Sequence, residues 1–351
     1  AGFTPAEDLL EVRRIAANTE PGRNHNTMPA LSPRSQDTED NGLTPLSPVF
    51  SFGGLSPHVS QLASAPLAAL GISTTGLGGS DLTASANDSS APSALRPGQA
   101  VGAALAVGDI TLAGTGTVSQ VDGNRVLAFG HPLMGLGEVE MPMTSAEIVT
   151  ILPSNMSSVK ISNTGSVIGT VSQDRLSAIY GEIGPPPAMV PVTVHTPHRT
   201  LNFSTVRHPR ITPMITAIGL AQAVMGSNDS GLAEGFAVRT HVEFEEGETL
   251  EMAQLYAGPK SFGDGMKGLT ADLSTWLQNP VEQSFPRQVT FTVEPLLNNP
   301  TTSMDNVRLS HRSVRGGEEI KVEIKLRDFQ SQGWTEVVTI PVSPDWVDRK
   351  I

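Results

Sequence analysis

The sequence predicts a mainly β protein with a few short flanking helices. Glycine (34) and proline (27) are abundant in the 351 residues, and only 17% are charged. Short apolar or alternating runs recur at close spacing with turn residues between them, and no long 3.6-residue period is sustained.

The elements follow in chain order. Residues 5–15 predict a helix, with Thr4 as N-cap, Pro5 at the first helical position and Glu7 and Asp8 in the first turn. Arg13 and Arg14 near its end suit the helix dipole, and Leu9, Leu10 and Val12 give it an apolar face. Residues 18–47 are polar and proline-rich without a period, as expected of an extended or partly disordered segment. Residues 56–70 predict a second helix, capped by Ser56, with Pro57 in its first turn and Gly71 just past its end. A Gly/Ser/Ala/Thr-rich linker follows over 71–97.

Strands are expected at 103–107, 115–120 and 125–129, the last two joined by a turn at Asp122-Gly123-Asn124. Further strands are expected at 160–162, 166–172 and 176–180. That density favours a small barrel or sandwich. Residues 189–204 and 237–244 read as strands, with a helix at 212–225 between them and another at 267–278 containing Trp276. The runs 288–293, 306–310, 319–326 and 335–341 alternate cleanly, as in a β-sandwich of immunoglobulin-like size.

Composition excludes several functions. The net charge is −12, with basic residues scattered rather than striped, which argues against a nucleic-acid partner. There is no cysteine, so disulfides, thiolate metal sites and a cysteine nucleophile are excluded. No apolar stretch approaches the ~18 residues of a membrane-spanning helix. The opening Ala1-Gly2-Phe3-Thr4 resembles neither a translation start nor a signal peptide, and reads as the interior of a longer precursor.

Gly130-His131-Pro132 is the motif suited to chemistry. It follows an apolar run and opens a glycine-rich turn, residues 134–137. Pro132 restricts His131 to extended backbone angles, and the glycines permit close approach of another chain. An imidazole held there could act as general base toward a serine hydroxyl. One histidine alone is weak ground, since local hydrogen bonds explain most such residues.

Other groupings are weaker. Asn228-Asp229-Ser230-Gly231 has the residues of an ordinary turn, so Ser230 is not expected to be a nucleophile. His195, His198 and His208 lack the helical spacing of a zinc site, and Pro197 and Pro209 interrupt them. Gly76 to Gly79 and Gly114 to Gly116 lack the continuation of a phosphate loop. Glu243, Glu245, Glu246 and Glu248 around Gly247 read as a solvated hairpin tip rather than a calcium loop. Met134, Met141 and Met143 read as core filler. Neither metal nor cofactor is expected.

An ordered series of motifs sharpens His131. Arg96-Pro97-Gly98-Gln99-Ala100-Val101-Gly102, Gly108-Asp109, Gly114-Thr115-Gly116-Thr117, Asp122-Gly123, Leu127-Ala128-Phe129-Gly130-His131-Pro132, Met141-Pro142-Met143-Thr144 and Gly165 to Gly169 through Gln173-Asp174-Arg175 come in this sequence. Together they resemble the SpoIVB-type serine peptidases, in the version found in large bacterial envelope proteins. The resemblance is strongest over 95–184 and continues more loosely through Arg207-His208-Pro209 toward the C-terminus.

The resemblance implies a chymotrypsin-like barrel half, a catalytic role for His131 and an extracytoplasmic location, in the periplasm or at the cell surface of a bacterium. The family's nucleophile lies in a Gly-Met-Ser-Gly-Ser-Pro run that is not in this sequence. In the envelope version that run lies upstream of a segment much like residues 1–10, and the supporting acidic residue is expected upstream as well. The expected partners are therefore an upstream nucleophile-bearing segment of the same precursor and another envelope protein. The domain expectation is a helix, extended segment and linker at 1–94, a SpoIVB-like barrel half at 95–205, a connecting α/β region at 206–285 and a C-terminal β-sandwich at 286–351. Two functions follow: a self-processing peptidase-derived envelope protein, or a non-catalytic structural and interaction subunit of an envelope assembly.

Overall fold

The computed structural model describes residues 4–18, 49–75, 95–153, 159–226, 235–245, 247–257, 261–278, 284–296 and 298–346. Most of the segment expected to be extended, residues 19–48, lies outside the described residues, as do 76–94 of the linker.

Four short elements come first: α1 (Ala6–Asn18), β1 (Val49–Gly53), α2 (Pro57–Ala69) and β2 (Ser73–Thr75). Then come β3 (Ala100–Gly108), β4 (Thr111–Asp122), β5 (Arg125–Ala128), β6 (Gly137–Leu152), β7 (Val159–Asp174) and β8 (Ile179–Ile183). Next are β9 (Met189–His195), β10 (Thr200–Val206), α3 (Ile211–Met225), β11 (Gly235–Phe244), β12 (Thr249–Ala257), α4 (Ser261–Leu277) and β13 (Pro286–Pro295). The last are β14 (Thr302–Leu309), β15 (Glu319–Asp328) and β16 (Gly333–Pro341). The protein is mainly β, with a 13-stranded mixed sheet and a separate 3-stranded sheet.

Two compact units divide the chain. The first comprises Ala1–Asp229, Val238–Ala253 and Met266–Val293; the second comprises Ser230–Ala237, Gln254–Gly265 and Glu294–Ile351.

In the first unit, six antiparallel ladders close on themselves. β3 pairs with β4, β4 with β5, β5 with β8, β8 with β7, β7 with β6, and β6 returns to β3. The spatial order β6-β3-β4-β5 is a Greek key, three successive strands with the fourth returning beside the first. Val101, Leu105, Leu112, Val126, Met143 and Val171 are buried within these strands. Two side-chain bonds also tie β7 to β4, which is not its ladder neighbour. Lys160 donates to Thr117 Oγ1 at 2.6 Å, and the hydroxyls of Thr115 and Ser162 lie 2.7 Å apart.

Helix α1 lies against this circuit because Leu9, Val12 and Ala16 share one face. Val12 is buried with Leu127, Ala178 and Tyr180, and the other two pack beside it. Arg13 pairs with Asp122 at the end of β4. Helix α2 starts as its residues direct: the Ser56 hydroxyl accepts from Val59 N–H at 3.4 Å and Pro57 follows. Its buried Val59, Ala63 and Leu67 face α3, and Ser56 N–H donates to Gln222 at 2.8 Å. Helix α3 is apolar all round and buried for most of its length. Phe203 of β10 lies over Gly219, where a β-carbon would sit 2.1 Å from the ring.

Several expected runs change on folding. The run 189–204 is a hairpin, β9 and β10, turning at Thr196-Pro197-His198-Arg199, where Thr196 N–H donates to Arg199. The two runs at 160–172 form one strand, β7, which passes through Gly165. Strand β6 was not expected as a strand; Pro142 and four register shifts obscure its alternation.

Of the four C-terminal runs, the first becomes β13 and pairs in parallel with β9, Val289 opposite Val192. The others form the 3-stranded antiparallel sheet of the second unit, in the order β14-β15-β16. In that unit Phe236 and Tyr256 also meet, with ring centroids 5.2 Å apart. Among the described residues, no helix is long and apolar enough to cross a membrane.

Candidate functional site

His131 lies on the turn between β5 and β6, and its side chain is exposed. The reversal there is made by two successive left-handed residues, Phe129 (φ 74°) and Gly130 (φ 71°). Glycine takes that conformation freely, but phenylalanine does not, and an imposed φ of this kind costs about 1–3 kcal/mol.

Two glycines of β4 make room for Phe129 and Leu133. A β-carbon on Gly116 would fall 2.3 Å from the Phe129 ring, and one on Gly114 would fall 2.5 Å from Leu133. Residues two apart on a strand share a face, so the Gly114-Thr115-Gly116 run forms a trough for both side chains flanking His131. Phe129 N–H also donates to Thr117 at 2.9 Å. These glycines serve side-chain packing, not a phosphate.

The imidazole has two contacts of its own. Its ring meets Phe129 edge-on, with centroids 5.7 Å apart and planes at 67°. Its Nδ1 lies 2.8 Å from the Pro132 carbonyl oxygen. A carbonyl only accepts, so Nδ1 carries the proton, and in the neutral ring the lone pair then lies on Nε2. That is the tautomer a general base needs.

The turn beyond His131 is organised by Asp174, the last residue of β7 and fully buried. Its carboxylate accepts from Leu133 and Met134 N–H, both at 2.8 Å, and from Leu136 N–H at 3.2 Å. Burial pushes its pKa up from the ordinary carboxylate range, while the amides of Met134, Leu136, Leu133 and Gly135 pull it down. This cluster of N–H groups is a nest closed on an internal anion.

The near side of the turn is held by Thr4, whose hydroxyl donates to the Gly130 carbonyl. Thr4 was expected to cap α1; its hydroxyl proton instead ties the entrance of that helix to the residue before His131.

The remaining sequence candidates disperse. His195 bonds Thr200 at 3.1 Å at the outer end of the β9–β10 hairpin, and His208 follows the opposite end of β10. Seven strand residues separate them, about 23 Å at the usual rise. Burial holds the His208 pKa down at about 4, helped by the Arg210 charge. Arg210 N–H donates to its Nδ1 at 3.3 Å. Ser230, Gly76 to Gly79 and Glu246 lie outside the described residues. Glu243 lies at the end of β11 and Glu245 just beyond it, beside a turn at Gly247 (φ 86°), and His241, between Glu251 and Glu243, has its pKa raised chiefly by Glu251. Met141 and Met143 are buried. Among the described residues, no group of three or more His, Asp and Glu side chains is arranged to hold a metal.

Sequence reasoning missed Asp174, Phe129 and Thr4. Asp174 lies in the Gln173-Asp174-Arg175 motif and Phe129 in the motif that holds His131, which were the available signals, and Thr4 was read only as a helix cap. No family model, curated protein or solved structure matches the chain.

Proposed function

We propose that this chain is the histidine-bearing part of a SpoIVB-like serine peptidase derived from a bacterial envelope protein, self-processing and located outside the cytoplasm. The observation that carries this reading is His131 itself. It is exposed on a strained turn, with Nδ1–H engaged by Pro132 and Nε2 without a hydrogen-bond partner among the described residues. In the reaction, Nε2 takes the proton of an upstream serine as its oxygen attacks the peptide carbonyl, then returns it to the departing amine. The six-ladder Greek-key circuit supports reading this region as a barrel half related to chymotrypsin's.

The reading is tested on the full precursor with a serine-reactive phosphonate probe. Labelling is expected in the wild type and strongly reduced in His131→Ala. Equal labelling of both would remove His131 from the chemistry.

One observation favours the second reading, a non-catalytic interaction subunit. In the 3-stranded sheet, directly paired residues share a face, which aligns Leu309, Val322 and Val338, and likewise Met304, Leu326 and Trp334. Met304 is 62%, Leu309 51% and Trp334 40% exposed, and a contiguous apolar face of this kind marks an association surface. Protein carrying Leu309→Lys and Val338→Lys would lose assembly with its envelope partner but keep phosphonate labelling if both readings hold.

A further inference from the structure

Strand β3 changes partners part-way along its length. Val101, Gly102 and Ala103 pair with Ser145, Thr144 and Met143 of β6, whereas Ala106, Val107 and Gly108 pair with Thr205, Ser204 and Phe203 of β10. Had the first ladder continued, the second half of β3 would have covered residues 137–142 of β6. Instead, among the described ladders, that stretch pairs on one side only, with β7. It also carries a register shift between Glu138 and Met141, and Pro142, which has no N–H, closes it.

A shallow hollow of about 60 Å³ lies beside this edge, between β6 and the connection from β10 to α3. Leu136, Val139 and Met141 line one side, and Val206, His208 and Ile211 the other. Glu138 and Glu140 also line it, and both are exposed. Arg207 lines it as well, and its charge is paired with Glu245 at 2.6 Å. His208 is held uncharged by burial, which leaves Arg210 beside it as the opposing cation. The local balance is negative. An open strand edge binds an extended chain through its main-chain groups, and adjacent side chains supply selectivity.

We propose that the open edge of β6 is a docking site for an extended polypeptide substrate, taken up as an added strand, with a basic side chain set against Glu138 and Glu140. The edge begins six residues beyond His131, so as a substrate site it rests on the peptidase reading. Its binding test does not.

The experiment uses the full chain and two fluorescein-labelled ten-residue peptides of alternating valine and threonine, one with two lysines and one with two glutamates. Fluorescence anisotropy should show the lysine peptide binding about fivefold tighter, the scale of two exposed charge pairs. Glu138→Lys with Glu140→Lys should reverse the preference, and the lysine peptide should slow amide exchange at residues 138–141 of the wild type. Equal binding of the two peptides, a preference unchanged in the double variant, or exchange at 138–141 unaffected by peptide would each overturn the site. Phosphonate labelling of the precursor separates the two claims. Edge binding without labelling keeps the docking site and removes the peptidase chemistry; labelling without edge binding does the reverse.

Discussion

The circuit around His131 and the sheet of β14, β15 and β16 use the same kinds of residue to opposite ends. In the circuit each ladder passes to the next and the last returns to the first, and Val118, Val126 and Val171 are buried, whereas Val149 toward the far end of β6 is 58% exposed. In the 3-stranded sheet, β14 and β16 have no further strand neighbour among the described residues, and Val307, Val337 and Val338 are 47%, 58% and 45% exposed. Closure, rather than the hydrophobicity of a strand, decides whether its side chains leave water. A closed circuit can then hold an imidazole on a strained turn, whereas an open sheet offers area for association.

The largest test of that contrast is at Asp174. Replacing it with alanine leaves the Leu133, Met134 and Leu136 amides without their acceptor. At about 1–3 kcal/mol for an unsatisfied buried group, with some relief from entering water, urea unfolding should show a loss of about 3 kcal/mol. Asp174→Asn, which keeps one acceptor oxygen, should recover part of it. A wild-type midpoint for Asp174→Ala would show that the turn is held some other way.

His208 comes next, through pH. Its folded-state pKa of about 4 lies below the ordinary 6.5, so the unfolded chain takes up the proton first as pH falls. The associated stability is present above pH 6.5 and is lost as pH falls through about 4, amounting to about 3 kcal/mol at the low end. Urea midpoints measured across this range should fall less steeply in His208→Gln; identical slopes would refute the assignment.

Gly116→Ala should have a smaller effect. Its β-carbon would meet the Phe129 ring at 2.3 Å, so the ring must move, at about 2 kcal/mol. The His131 ring protons should shift in an NMR spectrum as the edge-on contact is lost, and unchanged shifts would break the link between trough and imidazole.

The smallest effect belongs to the open sheet. Leu309→Ser with Val338→Ser should change stability by less than about 0.5 kcal/mol each, because both side chains are surface residues already about half exposed. Binding of a hydrophobic dye should nonetheless drop. A large stability loss would mean that this face is covered within the chain.

The sequence made the circuit's strands legible where alternation was unbroken, as in β4 and β5, and where turn residues such as Asp122-Gly123-Asn124 punctuated them. It hid β6, whose Pro142 and register shifts mask the period, and β12, whose Glu251, Ala253 and Gln254 weaken its β character. His131 could be found because glycine and proline mark its turn locally. Asp174 acts on amides 38–41 residues away, and Thr4 on a carbonyl 126 residues away, so neither role is written in its own neighbourhood. The open edge of β6 depends on where β3 exchanges one partner for another, which no periodicity encodes.

The bond from Thr4 to Gly130 also bears on kinetics. Thr4 is thereby held beside His131, so a segment joined ahead of it would reach the imidazole through its own covalent connection. A short tether of that kind sets an effective concentration in the millimolar range. Under the peptidase reading, the upstream serine and His131 therefore meet as parts of one molecule, and maturation runs as a first-order process whose half-time is unchanged by dilution.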